Sequence, residues 1–102
     1  DRKKDMIISS GYNVFPNELE DYLSTHPDIL EAGVIGIPDK NRGEYIKAFV
    51  VKKNKNLLDT EVITYCKEGL TEYKVPKKII FIDDLPKTNV GKILRRELRN
   101  FD

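Results

Sequence analysis

The chain has 102 residues, of which 39% are hydrophobic and 34% are charged, and its formal net charge is +1. This balance predicts one globular domain with a modest core, and it argues against a disordered chain. It also argues against a membrane-spanning helix, because no apolar run approaches the ~20 residues that such a helix needs. One cysteine and one histidine are too few for an internal disulfide or a zinc site.

Because the sequence begins with Asp1 rather than Met, we expect a fragment or a processed product of a longer protein. No signal peptide is visible in the charged residues 1–5 and the short apolar segment that follows them. The lone cysteine, Cys66, suits a reducing compartment. These features predict a cytoplasmic setting.

Three segments rich in isoleucine and valine predict the strands of a central sheet. They span residues 29–37, 45–53 and 78–82, and turn residues follow the first of them. A hairpin between the first two is the simplest topology, and the second segment should be covered on both sides because both its faces are partly apolar. A shorter apolar piece, residues 6–8, predicts an edge strand that ends in a turn or a close backbone approach at Gly11.

Three segments with helical periodicity complete the chain. The first begins near Asn17, with Pro16 in its first turn and with Asn17 and Glu20 at the spacing of a capping box. The second is capped by Asp59 or Thr60 and runs to about Leu70, and the third covers about 93–100. In the third segment we expect apolar side chains inside and arginines outside: Leu94, Leu98 and Phe101 against Arg95, Arg96 and Arg99.

The order of these elements predicts an α+β fold, because strands and helices do not alternate strictly. We expect a small central antiparallel sheet of about three strands, flanked by helices, with a short N-terminal strand or hairpin.

No complete catalytic constellation is visible in the sequence. It contains no P-loop, no GxGxxG motif and no serine beside a histidine base. The acidic pair at 83–84 could bind a metal ion, but paired acids after a strand are more typical of a solvated turn. His26 and Cys66 have no partner at a useful spacing, so we expect both to be structural.

Two glycine-containing loops with basic neighbours, around Gly11 and Gly91, are the candidate functional segments. Gly91 can take a positive φ or lie close to a ligand, and Lys92 is a long cation suited to a carboxylate or a phosphate. A solvated loop lysine is the simpler alternative. Basic residues gather in the last third of the chain, where they form either a phosphate-attracting surface or an ordinary solvated face: Lys74, Lys77, Lys78, Lys87, Lys92, Arg95, Arg96 and Arg99.

Both loops lie in segments that resemble the adenylate-forming enzymes, a superfamily of acyl-CoA synthetases, nonribosomal-peptide adenylation domains and luciferases. Residues 1–20 resemble the hinge-side motif that opens the C-terminal domain of these enzymes. Residues 86–96, Pro-Lys-Thr-Asn-Val-Gly-Lys-Ile-Leu-Arg-Arg, resemble its closing motif, which carries the catalytic lysine. Shorter matches at 36–39, 43–44 and 73–76 stand at the expected spacing, so the resemblance covers residues 1–102 as one AMP-binding enzyme C-terminal domain. Within the superfamily, both motifs are most similar to those of bacterial long-chain fatty-acid–CoA ligases.

The resemblance implies a two-step reaction. A fatty-acid carboxylate attacks the α-phosphate of Mg²⁺-bound ATP to give acyl-AMP and pyrophosphate, and the thiol of CoA then displaces AMP. The implied partner is the enzyme's own large N-terminal adenylating domain, which this chain lacks. We therefore expect the isolated domain to be inactive and to hold no cofactor. Peripheral membrane association of the full-length enzyme is left open, and no nucleic-acid partner is implied.

The resemblance also implies roles for individual residues. Lys92 would reach the substrate carboxylate and the nucleotide oxygens during adenylation, Lys4 stands at the hinge position, and Arg2 would lie near the ribose and phosphates of ATP. Gly11 would flank the pantetheine channel, where a side chain would obstruct. Two more positions are implied less directly, one near the nucleotide and one near the CoA phosphates: Asn13 and Lys67. No residue is implied as a metal ligand.

Three other functions stay open. The chain could belong to a different adenylate-forming ligase, with a short-chain, medium-chain or aryl substrate. It could be a free-standing nucleic-acid-binding module, although its sequence pI of about 8.0 is below that of typical domains of this kind and no aromatic residue is interleaved with the arginines. It could also be a regulatory or scaffold domain, but a scaffold has no need of a cation at Lys92.

Overall fold

The computed structural model describes residues 5–101, which form one five-stranded sheet with helices on both of its faces. The strands are β1 (Ile7–Ser9), β2 (Tyr12–Val14), β3 (Ile29–Asp39), β4 (Gly43–Lys52) and β5 (Lys78–Phe81). The helices are α1 (Pro16–Ser24), α2 (Asp59–Gly69) and α3 (Arg95–Leu98), with a single 3₁₀ turn at Glu72–Lys74. The α+β class is confirmed, and the sheet has five strands because the N-terminal hairpin joins it. None of the described helices is long and apolar enough to cross a membrane.

The long hairpin of β3 and β4 forms the centre of the sheet. Its antiparallel register runs from the pair Ile29–Lys52 to the pair Asp39–Gly43, which confirms the predicted hairpin. The other edge of β4 pairs with β1 at Gly43 and with β5 further along the strand. The β4–β5 pair is parallel, since the chain crosses through α2 before it returns to the sheet.

Strand β4 separates two apolar clusters. Ile46, Ala48 and Val50 lie in the cluster beneath α1 and α2, whereas Phe49 and Val51 lie in the cluster on the opposite face. This alternation confirms that β4 is covered on both sides. The second cluster also contains Leu85 and Leu98, so the C-terminal segment closes that face of the sheet: Ile35, Phe49, Val51, Leu85 and Leu98.

The start of α1 differs from the prediction. Pro16 occupies the first turn as expected, but the N-cap residue is Phe15 and no side chain caps the helix. The capping box of Asn17 and Glu20 is therefore wrong, because Glu20 points into the domain instead of back to the helix start. Helix α2 begins at Asp59 and its N-cap residue is Leu58, so the predicted cap at Asp59 or Thr60 is wrong.

The last helix is shorter than predicted. It covers four residues rather than about eight, because residues 86–94 form a loop that delays its start. Leu98 is wholly buried, as expected, and Leu94 is half-buried. Phe101 was predicted to be buried, but it is exposed; its ring contacts Phe49 edge-on, with the ring centroids 6.2 Å apart.

Candidate functional site

Lys92 lies in a short hairpin, here called the Lys92 loop (residues 86–94), directly after the turn. The Thr88 amide donates to the Lys92 carbonyl at 2.8 Å, and the Lys92 amide donates to the Thr88 hydroxyl oxygen at 3.1 Å. The Gly91 amide donates to the Thr88 carbonyl at 3.0 Å, which closes the turn. Gly91 has φ +86°, the left-handed conformation typical of a three-residue hairpin loop with a glycine at its end.

Gly91 is required by backbone conformation rather than by space. A Cβ atom at this position would meet no atom of residues 5–101 within 4 Å, but an L side chain at φ +86° is strained. The predicted positive φ is therefore confirmed. The side chain of Lys92 follows directly and is exposed, so it extends from a fixed turn into open space.

A cleft of about 720 Å³ lies beside Lys92. Such a volume is within the usual range of about 300–1,000 Å³ for small-molecule sites. Its lining combines cationic side chains with two carboxylates and the Lys92 loop: Asp5, Asn17, Glu20, Thr88, Gly91, Lys92, Ile93, Leu94, Arg95 and Arg96. Lys92 and Arg96 are the exposed cations of this lining, so an anionic ligand is the chemistry that it favours.

Arg95 also lines the cleft, but the prediction that it faces outward is wrong. Its guanidinium donates to both carboxylate oxygens of Glu20, from Nη2 at 2.7 Å and from Nε at 3.2 Å. Nη2 also donates to the Asn17 amide oxygen at 3.0 Å, and Nη1 lies 3.5 Å from the Asp5 carboxylate. Glu20 in turn accepts the backbone N–H of Val34 at 2.9 Å. The pair is nearly enclosed, and both carboxylate oxygens of Glu20 accept hydrogen bonds, as a buried ion pair requires.

Glu20 is the site residue that sequence reasoning missed. The residue is only 7% exposed, whereas the sequence predicted it as the acidic member of a capping box at the start of the helix. The helical spacing of the buried residues contains the signal, since Pro16, Leu19, Glu20 and Leu23 lie on one face of α1. A carboxylate on an otherwise apolar helix face needs a cationic partner. The spacing of these residues could therefore have predicted that Glu20 pairs with a cation.

The second predicted loop is the turn of the Gly11 hairpin (residues 7–14). Ser10 has φ +53° and Gly11 has φ +84°, so the expected turn is confirmed as a tight two-residue connection with two left-handed residues. A Cβ at Gly11 would meet nothing within 4 Å among the described residues. Next to it, Tyr12 stacks on Tyr73 with ring centroids 4.2 Å apart.

Three of the predicted site residues that the structure describes do not line the cleft. Asn13 is exposed on β2, and Lys67 is exposed in the last turn of α2, where its charge suits the helix dipole. Neither of them lines the cleft, and nor does Gly11. Arg2 and Lys4 lie outside the described residues, so their predicted roles stay predictions.

The histidine, the cysteine and the acidic pair that the sequence analysis considered have contacts typical of structural residues. His26 accepts the Asp28 amide through Nδ1 at 3.0 Å and packs edge-on against Tyr65. Cys66 is wholly buried, and burial raises the pKa of its thiol from 9.0 to about 11. Asp84 accepts the Leu85 amide at 2.9 Å, as in an ordinary turn. Within residues 5–101, no group of three or more His, Cys, Asp and Glu side chains could hold a metal ion.

Comparison with known proteins connects this geometry to a family. The profile of the AMP-binding enzyme C-terminal domain matches residues 18–92. The chain is 55% identical over 100 residues to the long-chain-fatty-acid–CoA ligase of Escherichia coli O6:H1. The aligned region covers 98% of this chain and 18% of the relative. The chain thus spans about a fifth of the length of the curated relatives that it matches.

Solved structures show the same similarity. The fatty acyl CoA synthetase of Mycobacterium tuberculosis has a TM-score of 0.89 and 43% identity, over 97% of this chain and 20% of that protein. The o-succinylbenzoate CoA synthetase of Bacillus subtilis, in complex with its acyl-adenylate intermediate, has a TM-score of 0.92 and 41% identity, over 100% of this chain and 21% of that protein.

Proposed function

The chain belongs to the family of AMP-binding enzyme C-terminal domains, and on that premise we propose that it serves an adenylate-forming CoA ligase that activates long-chain fatty acids. The observation that carries the proposal is the position of Lys92, an exposed cation on a glycine-closed turn at the rim of a cleft. Long-chain specificity is supported by the 55% identity to a ligase of that name, against 46% to a 2-succinylbenzoate–CoA ligase of Bacillus mycoides.

In the proposed reaction, Lys92 stabilises charge during adenylation. A fatty-acid carboxylate and the triphosphate of ATP are both anionic, so their approach is opposed by repulsion. A cation held at the reacting oxygens offsets that repulsion and favours the charge distribution of the transition state. The fixed turn at Gly91 supports this role, because the lysine backbone needs no reorganisation when the ligand arrives.

This chain supplies only part of the proposed nucleotide site. Lys92 and Arg96 fit the phosphates of ATP, since both are cationic and line the cleft. Residues 5–101 offer no carboxylate cluster for Mg²⁺, so we propose that the ATP phosphates and the rest of the enzyme hold that ion. ATP and CoA would accordingly bind to the complete enzyme, and the isolated domain would be inactive.

We further propose that the domain presents two faces in turn to an N-terminal adenylating domain. The Lys92 loop would serve adenylation, and the Gly11 hairpin would serve the CoA step, with Lys4 as the hinge. The separation of the two loops supports this idea, because Gly11 does not line the Lys92 cleft. We propose that Arg2 and Asn13 lie near the nucleotide. We propose that Gly11 and Lys67 lie near CoA. All four contacts would form only in the complete enzyme. We also propose a cytoplasmic enzyme with peripheral membrane association, which fits this substrate class.

The nucleic-acid alternative loses support from the structure of the basic C-terminal segment. Arg95 is engaged with Glu20, and Arg99 donates to the Gly36 carbonyl at 2.6 Å. Two of the three arginines that were expected to face solvent therefore have partners within the domain.

The central test is Lys92→Ala in the full-length enzyme that contains this chain. Acyl-AMP formation should fall by about 100-fold or more, because one preorganised charge contact to the transition state is lost. Thioester formation from supplied acyl-AMP should be largely preserved. Lys53→Ala is the matched control, since Lys53 is also an exposed lysine but lies in a loop away from the cleft. Equal loss in both steps would contradict the assignment of Lys92 to adenylation.

Substrate class needs a separate measurement. The wild-type enzyme should activate palmitate more efficiently than o-succinylbenzoate in a pyrophosphate-release assay. A preference for the aromatic acid would retain the ligase assignment and overturn the long-chain assignment.

A further inference from the structure

We propose that the Arg95–Glu20 ion pair is a positioning device that holds the Lys92 loop against α1, so that the lysine is presented at a fixed angle. The catalytic meaning of this inference rests on the proposed function. Its mechanical part, the coupling of the loop to α1, concerns only the contacts within this domain.

The need for such a device follows from how little backbone pairing the loop has. A single isolated β-bridge, between Lys87 and Ile93, joins its two sides. Val90 at its tip is highly exposed and makes no contribution to the core. Ile93 packs against the apolar cluster on this face of the sheet, and the charged side chains near the two ends of the loop, Lys87 and Arg95, add the contacts that can give it a direction.

These two end contacts differ in burial. The side chains of Arg95 and Glu20 are 15% and 9% exposed, whereas those of Lys87 and its partner Glu31 are 35% and 28% exposed. Solvent and salt screen the more exposed pair, and a lysine ammonium sets no direction. Arg95 instead uses two nitrogens against both oxygens of one carboxylate, which fixes an angle as well as a distance. Arg95 is therefore the contact that can orient the loop.

Glu20 is itself held by the fold. Its Oε2 atom accepts the Val34 amide of β3 at 2.9 Å, so the carboxylate is fixed to both α1 and the central sheet. The Arg95 guanidinium also approaches Asp5, just before β1, at 3.5 Å. One guanidinium thus joins the Lys92 loop, α1 and the segment that leads into the domain at the proposed hinge. A rotation of the domain would carry the loop with it as one body.

The variants Glu20→Gln and Arg95→Lys test the device without removing whole side chains. Glutamine keeps an oxygen for the Val34 amide, and lysine keeps the positive charge, so both chains should fold. Glu18→Gln is the matched control, because Glu18 lies two residues earlier on α1 and is also ion-paired, with Lys74 at 2.7 Å, but is exposed. All three changes are made in the full-length enzyme that contains this chain.

The first readout is hydrogen–deuterium exchange, which requires no activity. Amides of the Lys92 loop should exchange about tenfold faster in Glu20→Gln and Arg95→Lys, while those of β4 should change by less than about twofold. Glu18→Gln should alter neither segment. An equal increase in both segments would reveal a purely global stabilising role and overturn the proposal, as would an unchanged loop.

The second readout separates the two half-reactions. In Glu20→Gln the kcat of acyl-AMP formation should fall about tenfold or more, because a misplaced catalytic group loses much of its effect. Thioester formation from supplied acyl-AMP should stay within about twofold of wild type, and Glu18→Gln should match wild type in both steps. Unchanged adenylation, or equal loss in both steps, would overturn the proposal. If the wild-type enzyme forms no acyl-AMP, the proposed function fails instead, and hydrogen exchange alone decides whether the ion pair holds the loop.

Discussion

The two glycine-closed loops of this domain are held in place by different forces. The Gly11 hairpin belongs to the sheet, through three residue pairs between β1 and β2 and a further pair with β4 at Gly43. The Lys92 loop has a single bridge of its own, and it is attached to the rest of the domain through Ile93, which packs against the core, and through charged side chains. Both turns contain a left-handed glycine, so the local chemistry of the turns is similar while their attachment is not.

This difference predicts which substitutions can alter the orientation of each loop. Backbone ladders are insensitive to single surface charges, so the Gly11 hairpin should keep its orientation whenever the sheet is folded. Side-chain tethers can be weakened one at a time. The loop assigned to adenylation is thus adjustable by single substitutions that leave the fold intact, and the four predictions below test this contrast.

The largest effect is expected from Leu98→Ala. Leu98 is wholly buried in the cluster beneath the C-terminal segment, so its loss should lower the free energy of unfolding by about 3–4 kcal/mol. Leu58→Ala is the control, because Leu58 is largely exposed and its loss should change stability by less than about 0.5 kcal/mol. Urea unfolding measures both. Similar losses would show that the burial difference between these leucines is wrong.

Glu20→Ala should cost slightly less, about 3 kcal/mol. The change leaves the Arg95 guanidinium and the Val34 amide without their buried acceptor. Glu18→Ala on the same helix should have little effect, since the Glu18 side chain is exposed in its ion pair with Lys74. The midpoint of thermal unfolding, followed by circular dichroism, distinguishes the two. A tolerated Glu20→Ala would mean that the pair contributes nothing to the attachment of the Lys92 loop.

Alanine at either glycine should have a smaller effect that is similar for both loops. Gly11 and Gly91 have φ near +85° and open space at Cβ, so each substitution should cost about 1–2 kcal/mol through backbone strain alone. Each substitution should slow a different half-reaction: Gly91→Ala should slow acyl-AMP formation, and Gly11→Ala should slow thioester formation. Loss of the same half-reaction in both variants would contradict the assignment of separate faces.

The last prediction concerns pH and the apolar cluster on the opposite face of the sheet. The raised pKa of Cys66 means that the folded chain keeps the thiol proton where the unfolded chain releases it. Stability should therefore fall as pH rises from about 9 to about 11. In Cys66→Ala this part of the decline should be absent, which urea midpoints over the same pH range can measure. An identical pH dependence in both chains would show that Cys66 does not ionise with a raised pKa.

The sequence alone determined most of the local structure. Strong apolar periodicity predicted β3 and β4 and both faces of their hairpin, because alternating side chains must enter the two sides of a covered sheet. Glycine predicted the two left-handed turns, since few other residues adopt a positive φ. The resemblance of the two motifs predicted the family and a functional role for Lys92. The residues of the Lys92 loop by themselves could not have shown either.

Only the tertiary structure decided where the partners of charged residues lie. Glu20 and Arg95 are separated by 75 positions, and each is unremarkable in its own helix until the packing of α1 brings them together. The parallel pairing of β5 and the addition of β1 to β4 were settled in the same way. Periodicity reports the surroundings of a residue along its own element, whereas an ion pair or a strand neighbour depends on how distant elements pack. The attachment of Lys92 to the rest of the domain is therefore a property of the fold.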